Sequence, residues 1–186
     1  LLVIDDYVVG EISQFHGERI FRSIGNRSGR NRMTKDTLLR SSYTPRGLIL
    51  FTGEDMNLRQ SVRARMVLTY SESNSIDKEI LTVLQRKASH GVFSKIMGEY
   101  TKWLAANFNS VEAAIKSELY LIPDKFKTET LHAKTAPNLS NLYLSNTYFL
   151  KFCAKKNILS EKYLKIFETN ALGAFASLIK VQNEHQ

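Results

Sequence analysis

The chain begins with a short apolar run that ends abruptly in two adjacent carboxylates. Residues 1–4 are apolar and Asp5 and Asp6 follow directly, while a second apolar run covers residues 48–52. Uninterrupted apolar runs of this length are typical of strands that are buried on both faces of a parallel sheet. The pattern therefore predicts two neighbouring parallel strands, with a third strand over residues 66–70.

Beyond the polar stretch that follows the third run, apolar residues recur at the spacing of amphipathic helices. Ser75 or Asp77 is suited to cap the first of these helices, Ser110 can cap another, and Pro137 suits the first turn of a third. Short links between long helices favour antiparallel packing. The sequence therefore predicts an α/β part over residues 1–73 and an α-helical bundle over 74–186, helix-rich overall, with the apolar stripes of the helices forming its core.

The opening strand also predicts that this chain is one piece of a longer parent protein. A strand of a parallel sheet does not fold alone, so we expect an upstream half to complete the sheet. Ligand sites of open α/β sheets lie at the carboxyl ends of the strands. Asp5 and Asp6 fall at that position, where nucleotide hydrolases hold Mg²⁺ and orient the attacking water.

The positive charge is concentrated in one segment of the chain. The formal net charge is +8, and the segment from Arg19 to Arg65 contains ten arginines, one lysine and three acidic residues, so the rest is formally neutral. Guanidinium groups bind phosphate oxygens in pairs, whereas lysine acts as a solvated point charge. The segregation of arginine from lysine favours contact with phosphate, on a nucleotide or a nucleic acid.

The composition argues against several other classes of protein. Hydrophobic residues make up 43% of the chain and charged residues 24%, which is typical of a globular protein. The single cysteine, Cys153, cannot form an internal disulfide and fits a reducing compartment such as the cytoplasm. No apolar run approaches the roughly 18 residues needed to span a bilayer. The four histidines lack metal-ligand spacing, and no Walker A pattern occurs.

A set of short motifs occurs in a fixed order: Leu-Val-Ile-Asp-Asp-Tyr, Arg22-x-x-Gly25-Asn26-Arg27-x-Gly29-Arg30, Pro45-Arg46-Gly47-Leu48, Thr52-Gly53-Glu54-Asp55 and Ser61-x-Arg63-Ala64-Arg65. In this combination the chain resembles the C-terminal half of a family of P-loop ATPase-like, helicase-like proteins. Phages and integrative elements encode that family, often joined to or near bifunctional primase–polymerase modules. The resemblance extends more loosely to His132 and the helix start at Pro137.

The resemblance implies roles for residues at the strand ends. Asp5 corresponds to the Walker B aspartate that holds Mg²⁺ through water. Asp6 takes the place of the acid that orients the hydrolytic water, a place where related ATPases usually have Glu. Thr52 corresponds to the polar sensor at the tip of the adjacent strand, and Glu54 and Asp55 either join the metal site or cap the next turn.

The resemblance also implies roles for the arginines and for partners. Arg27, Arg30 and Arg65 are candidate arginine fingers or phosphate sensors; the other candidates for phosphate or nucleic-acid contact are Arg22, Arg32, Arg46 and Arg63. ATP and Mg²⁺ are implied as ligands of the full-length parent only, because the Walker A segment must come from the upstream half. The fragment alone is therefore expected to be inactive. Nucleic acid and further copies of the chain are implied partners, and no membrane is.

Two alternative functions stay open. The arginine segment suits a non-enzymatic nucleic-acid-binding module, whose affinity would fall steeply with salt and would not need the two acids. A purely helical adaptor, in which the arginines are incidental, would show neither ATP linkage nor DNA binding.

Overall fold

The computed structural model describes residues 2–8, 14–29, 33, 35, 44–53, 58–72, 74–122 and 135–184. Within these residues the strands are β1 (Leu2–Ile4) and β2 (Ile49–Phe51), and the helices are α1 (Gln14–Gly25), α2 (Gln60–Arg63), α3 (Lys78–Ser89), α4 (Val92–Ala106), α5 (Phe108–Leu121), α6 (Thr135–Lys155) and α7 (Glu161–Glu184). The chain divides into a unit that ends at Val67, here called the sheet unit, and a helical unit, Leu68–Glu184. The predicted boundary lies a few residues downstream of this division. The helix-rich class with a small parallel sheet is confirmed.

The two strands pair in parallel, as predicted. Leu2 lies opposite Ile49, and the register continues to the pair Ile4 and Phe51. The ladder extends past the strand ends, since the Thr52 amide donates to the Ile4 carbonyl at 3.0 Å. The carboxyl ends of both strands therefore lie side by side.

Helix α1 covers one face of this sheet and forms the core of the sheet unit. Phe21 of α1 stacks on Phe51 of β2 with ring centroids 4.8 Å apart, and Tyr7 meets Phe21 edge-on at 5.8 Å. Gly17 allows this approach, because a Cβ atom there would collide with the Tyr7 hydroxyl.

Within the described residues the strands are covered on one face only, so burial on both faces stays a prediction for the longer parent. Ile4 and Phe51 are half-buried against the core, whereas Val3 and Leu50, which are partners on the opposite face, are each 55% exposed. The physical reason is that α1 covers only the face that carries Ile4 and Phe51. A continuous apolar run does not by itself distinguish one covered face from two.

The predicted third strand is wrong. Residues 66–70 form a bend and an irregular segment, because α2 and its following turn carry the chain to Met66, whose amide donates to the Arg63 carbonyl at 3.0 Å. Leu68 is buried, and its carbonyl accepts a hydrogen bond from the Gln182 side chain at 3.2 Å instead of joining a ladder.

Local signals set the beginnings and ends of several helices in the helical unit. Of the two candidate caps of α3, Asp77 is the one that caps it, since its carboxylate accepts from the amides of Glu79 and Ile80. Gly91 separates α3 from α4 with a left-handed φ of 71°. The prediction of Ser110 as the cap of the next helix is wrong, because α5 begins at Phe108 and the Ser110 hydroxyl donates back to the Asn107 carbonyl.

The helical unit is held by an aromatic cluster between α4 and α6. The Tyr100 ring lies 5.3 Å from Phe149 and 5.3 Å from Phe152, and Trp103 lies 6.0 Å from Phe152. Phe152 is almost fully buried, and burial raises the pKa of the neighbouring Cys153 thiol. These contacts agree with the predicted bundle.

Some predicted core stripes are nevertheless exposed. The exposed set is Ile76, Ile80, Leu81, Leu84, Phe93, Ile96, Met97, Tyr163 and Phe167. For the residues of α3, the physical reason is that this helix packs mainly on α4 within the described chain, which leaves its other faces uncovered. None of the described helices has the length and apolar content needed to cross a bilayer.

Candidate functional site

The carboxyl ends of β1 and β2 bring together side chains that are far apart in the sequence. The Thr52 hydroxyl donates to Asp5 Oδ1 at 2.5 Å and accepts from the Asp6 amide at 3.1 Å. The Tyr7 amide donates to the Thr52 carbonyl at 2.8 Å, which holds the chain against β2 beyond the strand end. Asp5, Asp6 and Thr52 therefore form one hydrogen-bonded group, here called the strand-end cluster.

The backbone of the strand-end cluster has two unusual features. Asp6 has a left-handed φ of 49°, a conformation that costs energy for most residues but that Asp tolerates better than most. A Cβ atom at Gly53 would lie 2.7 Å from the Tyr7 carbonyl oxygen, so the two chain segments approach as closely as only glycine allows. Strained or crowded backbone of this kind tends to occur at functional sites.

The strand-end cluster provides oxygen donors that are open to solvent. Asp5, Asp6 and Thr52 are all exposed. Mg²⁺ prefers carboxylate oxygens, keeps several waters and is usually bound by only one or two carboxylates together with substrate phosphates. Among the described residues no group of three or more His, Cys, Asp or Glu side chains is placed to hold a metal by itself. The donor set thus suits a metal that is shared with a phosphate ligand.

Two of the quoted motifs pack against each other in the sheet unit. Arg22 of α1 donates to the Ser61 hydroxyl of α2 at 3.1 Å, and Arg65 donates through Nε to the Asn26 side chain at 2.9 Å and through Nη1 to the Ser61 carbonyl. A Cβ atom at Gly25 would lie 2.8 Å from Arg65 Cβ. Arg65 therefore joins the end of α1 to α2, and this bracing role is the one that its described contacts support.

The other predicted arginines differ in their surroundings. Arg27 is exposed with a left-handed φ of 50° in the turn after α1, and Arg46 is exposed before β2. Arg63 is half-buried, and its Nε has no hydrogen-bond partner within the described ranges. The remaining residues named in the sequence analysis lie outside the described residues: Arg30, Arg32, Glu54, Asp55 and His132.

Sequence reasoning missed a second site in the sheet unit. A cleft of about 420 Å³ lies along α1 and the turn after it; its lining is Phe15, Glu18, Arg19, Arg22, Ser23, Asn26, Ser28, Gly29 and Arg59. Glu18 is buried, and one of its oxygens lies 3.5 Å from Arg22 and 3.4 Å from Arg59. Glu18 and Arg22 are four positions apart, the spacing of an ordinary ion pair on a helix surface, and nothing in the sequence places Arg59 beside them.

Comparison of the chain with protein-family models, with curated proteins and with solved structures gives no match.

Proposed function

We propose that this chain supplies the carboxyl-terminal half of the nucleotide site of a replication-associated, helicase-like P-loop ATPase of a mobile element. The observation that carries the proposal is the strand-end cluster. An aspartate at the end of one parallel strand accepts a hydrogen bond from a threonine at the end of its neighbour, 47 positions away. This is the position at which open α/β sheets bind nucleotides.

Each residue of the strand-end cluster has a chemical task in this proposal. The Thr52 hydroxyl fixes one oxygen of Asp5, which leaves the other to face a hydrated Mg²⁺. Bound Mg²⁺ would neutralise charge on the β- and γ-phosphates of ATP. Asp6, held by its backbone on Thr52, would accept a hydrogen bond from the attacking water and orient it toward the phosphate.

The exposed apolar face of the sheet supports the proposal that another part of the parent packs on these strands. Val3 and Leu50 are more than half exposed on the face opposite α1. An apolar sheet face of this kind is stable when another layer covers it. In the proposal, the upstream half of the parent provides this cover, together with the Walker A segment that holds the phosphates.

The test is ATP hydrolysis by the full-length parent with Asp5→Asn or Thr52→Ala. Since Asp5 would hold the metal, Asp5→Asn should lower the rate of hydrolysis by at least about a hundredfold. Thr52 orients Asp5, so Thr52→Ala should lower the rate by about ten- to a hundredfold. A phosphate-release assay with saturating Mg²⁺ measures both rates.

Asp77→Asn provides a matched control for the loss of one carboxylate. Asp77 caps α3 in the helical unit, and Asn caps helices as well as Asp does, so this variant should hydrolyse ATP at the unaltered rate. Full activity of the Asp5→Asn parent would contradict the proposal. Turnover by the 186-residue chain alone would show that the site is not divided between two halves.

The proposal includes a cytoplasmic location, nucleic acid as a partner and assembly of several copies through the helical unit. The competing function is a nucleic-acid-binding module without ATPase activity. The arginine-lined cleft of the sheet unit favours it, and that cleft does not depend on the strand-end cluster.

A further inference from the structure

The arginine-lined cleft carries a net positive charge around a buried carboxylate. Its lining contains three arginines, Arg19, Arg22 and Arg59, and one carboxylate, Glu18, which gives a net charge of +2. The Glu18 side chain is only 6% exposed, whereas those of Arg22 and Arg59 are 40% and 69% exposed. The carboxylate therefore forms the base of the cleft and the guanidinium groups reach toward solvent.

The contacts of Glu18 leave the arginines able to bind another anion. Both ion pairs use the same oxygen, Oε2, and Oε1 is buried without a hydrogen-bond partner within the described ranges. The distances of 3.4 and 3.5 Å exceed those of charge-assisted hydrogen bonds, so both pairs are loose.

The free edges of the guanidinium groups are suited to a phosphate. Arg59 approaches Glu18 through Nε, which leaves its terminal nitrogens at the exposed end of the side chain. Arg22 uses one terminal nitrogen, Nη2, both for Glu18 at 3.5 Å and for the Ser61 hydroxyl at 3.1 Å. A guanidinium group has five N–H donors, so one that is contacted through a single nitrogen keeps donors that can bind phosphate oxygens in pairs.

An exposed aromatic ring lies at the same cleft. Phe15, one turn before Glu18 on α1, is 68% exposed although it is a large apolar side chain. Nucleic-acid bases stack on exposed aromatic rings beside positively charged grooves. The cleft volume of about 420 Å³ lies within the range of small-ligand sites.

We propose that this cleft binds a nucleotide unit of single-stranded nucleic acid, with its phosphate on Arg59, Arg22 and Arg19 and its base stacked on Phe15. Glu18 is a positioning residue that holds the two guanidinium groups. The site deepens the proposed function by naming where the polynucleotide is held, yet it uses none of the residues of the strand-end cluster.

The test measures binding of a fluorescein-labelled oligothymidylate to the 186-residue chain by fluorescence anisotropy across a series of salt concentrations. Arg59→Gln should weaken binding and reduce the slope of log affinity against log salt by about 0.7, the value for one phosphate contact on a single strand. Arg86→Gln, which removes the same charge from α3 in the helical unit, should change neither quantity.

The stacking contact has its own pair of variants. Phe15→Ala should weaken binding about tenfold, because base–aromatic stacking is lost, whereas Phe15→Tyr retains the ring and should bind normally. Phe108→Ala removes a phenylalanine of α5 that is also more than half exposed, and it should have no effect. Circular dichroism checks that each variant keeps its helix content.

The outcomes separate this site from other sources of binding. Equal losses for Arg59→Gln and Arg86→Gln, or no binding of the oligonucleotide, would overturn the proposal. Competition with thymidine monophosphate shows whether the ligand is a polynucleotide or a free nucleotide. Weak competition supports a polynucleotide. Competition as strong as that of unlabelled oligonucleotide would assign the cleft to a free nucleotide and overturn the proposal. Asp5→Asn should not alter oligonucleotide binding, so failure here is distinguishable from failure of the ATPase proposal.

Discussion

The sheet unit and the helical unit use polar side chains in different ways. In the sheet unit, polar side chains link distant segments: Thr52 bonds to Asp5 across 47 positions, and Arg22 bonds to Ser61 across 39. In the helical unit, most described side-chain hydrogen bonds span three or four positions within one helix, as that of Ser140 to the Ala136 carbonyl does. Between α4 and α6 the described contacts are instead those of aromatic rings.

This difference leads us to expect ligand binding or catalysis in the sheet unit. Precise placement of oxygens and guanidinium groups requires hydrogen bonds between elements, since each bond fixes distance and direction. Apolar packing fixes shape but offers few groups to a ligand. We therefore expect substitutions of polar residues in the sheet unit to alter binding or catalysis, and substitutions of aromatic residues in the helical unit to alter stability.

The largest effect on stability should come from the aromatic cluster. Phe152→Ala should lower the free energy of unfolding by about 3–5 kcal/mol, because it removes a ring that is almost fully buried and leaves a cavity. Urea unfolding followed by circular dichroism at the helix band measures the change.

Phe108→Ala is the control for the aromatic cluster. This ring is 61% exposed, so its loss should change the free energy of unfolding by less than about 0.5 kcal/mol. If both variants lost the same stability, apolar packing around Phe152 would not be what holds the helical unit.

A smaller but still clear loss of stability should come from adding a Cβ atom at Gly53, beside the strand-end cluster. A Cβ at position 53 would lie 2.7 Å from the backbone oxygen of Tyr7. Backbone cannot move aside as a flexible side chain can, so Gly53→Ala should cost about 1–3 kcal/mol in thermal or urea unfolding.

Gly98→Ala tests whether the loss at Gly53 comes from the contact. Gly98 lies within α4, and a Cβ there would meet no atom within 4 Å. Alanine favours a helix over glycine, so this variant should gain about 0.8–1 kcal/mol. A stabilising effect of Gly53→Ala would mean that the chain at the strand ends is looser than its contacts indicate.

The parts of the fold that sequence predicts are those set by local pattern. Apolar runs that end in polar residues located β1 and β2, and the meeting of Asp5 with Thr52 follows from their parallel pairing. Asp77 was recognisable as a cap because its role depends on residues two and three positions away.

The parts of the fold that the sequence does not predict each depend on a side chain that lies far away in the sequence. Residues 66–70 have the composition of a strand, but the Leu68 carbonyl is bonded by Gln182, 114 positions later. Glu18 beside Arg22 suggests an exposed pair, but Arg59 approaches from another segment while Glu18 itself is buried. The bond from Arg65 to Asn26, 39 positions away, could not be foreseen either, while the role of Arg65 as an arginine finger or phosphate sensor stays a prediction.

The smallest effect on stability, and the sharpest separation of function from fold, is expected at Asp6. Its amide bonds to Thr52, and its left-handed φ of 49° is one that glycine adopts freely. Asp6→Gly keeps that amide, and the relief of strain offsets the greater freedom of glycine in the unfolded chain, so stability should change by less than about 1 kcal/mol. Asp6→Val, which is β-branched, should lose about 1–2 kcal/mol at the same position.

If Asp6 orients the attacking water, Asp6→Gly in the full-length parent should hydrolyse ATP at least about tenfold more slowly while unfolding normally. An unaltered rate in this stable variant would leave Asp6 with a backbone role only.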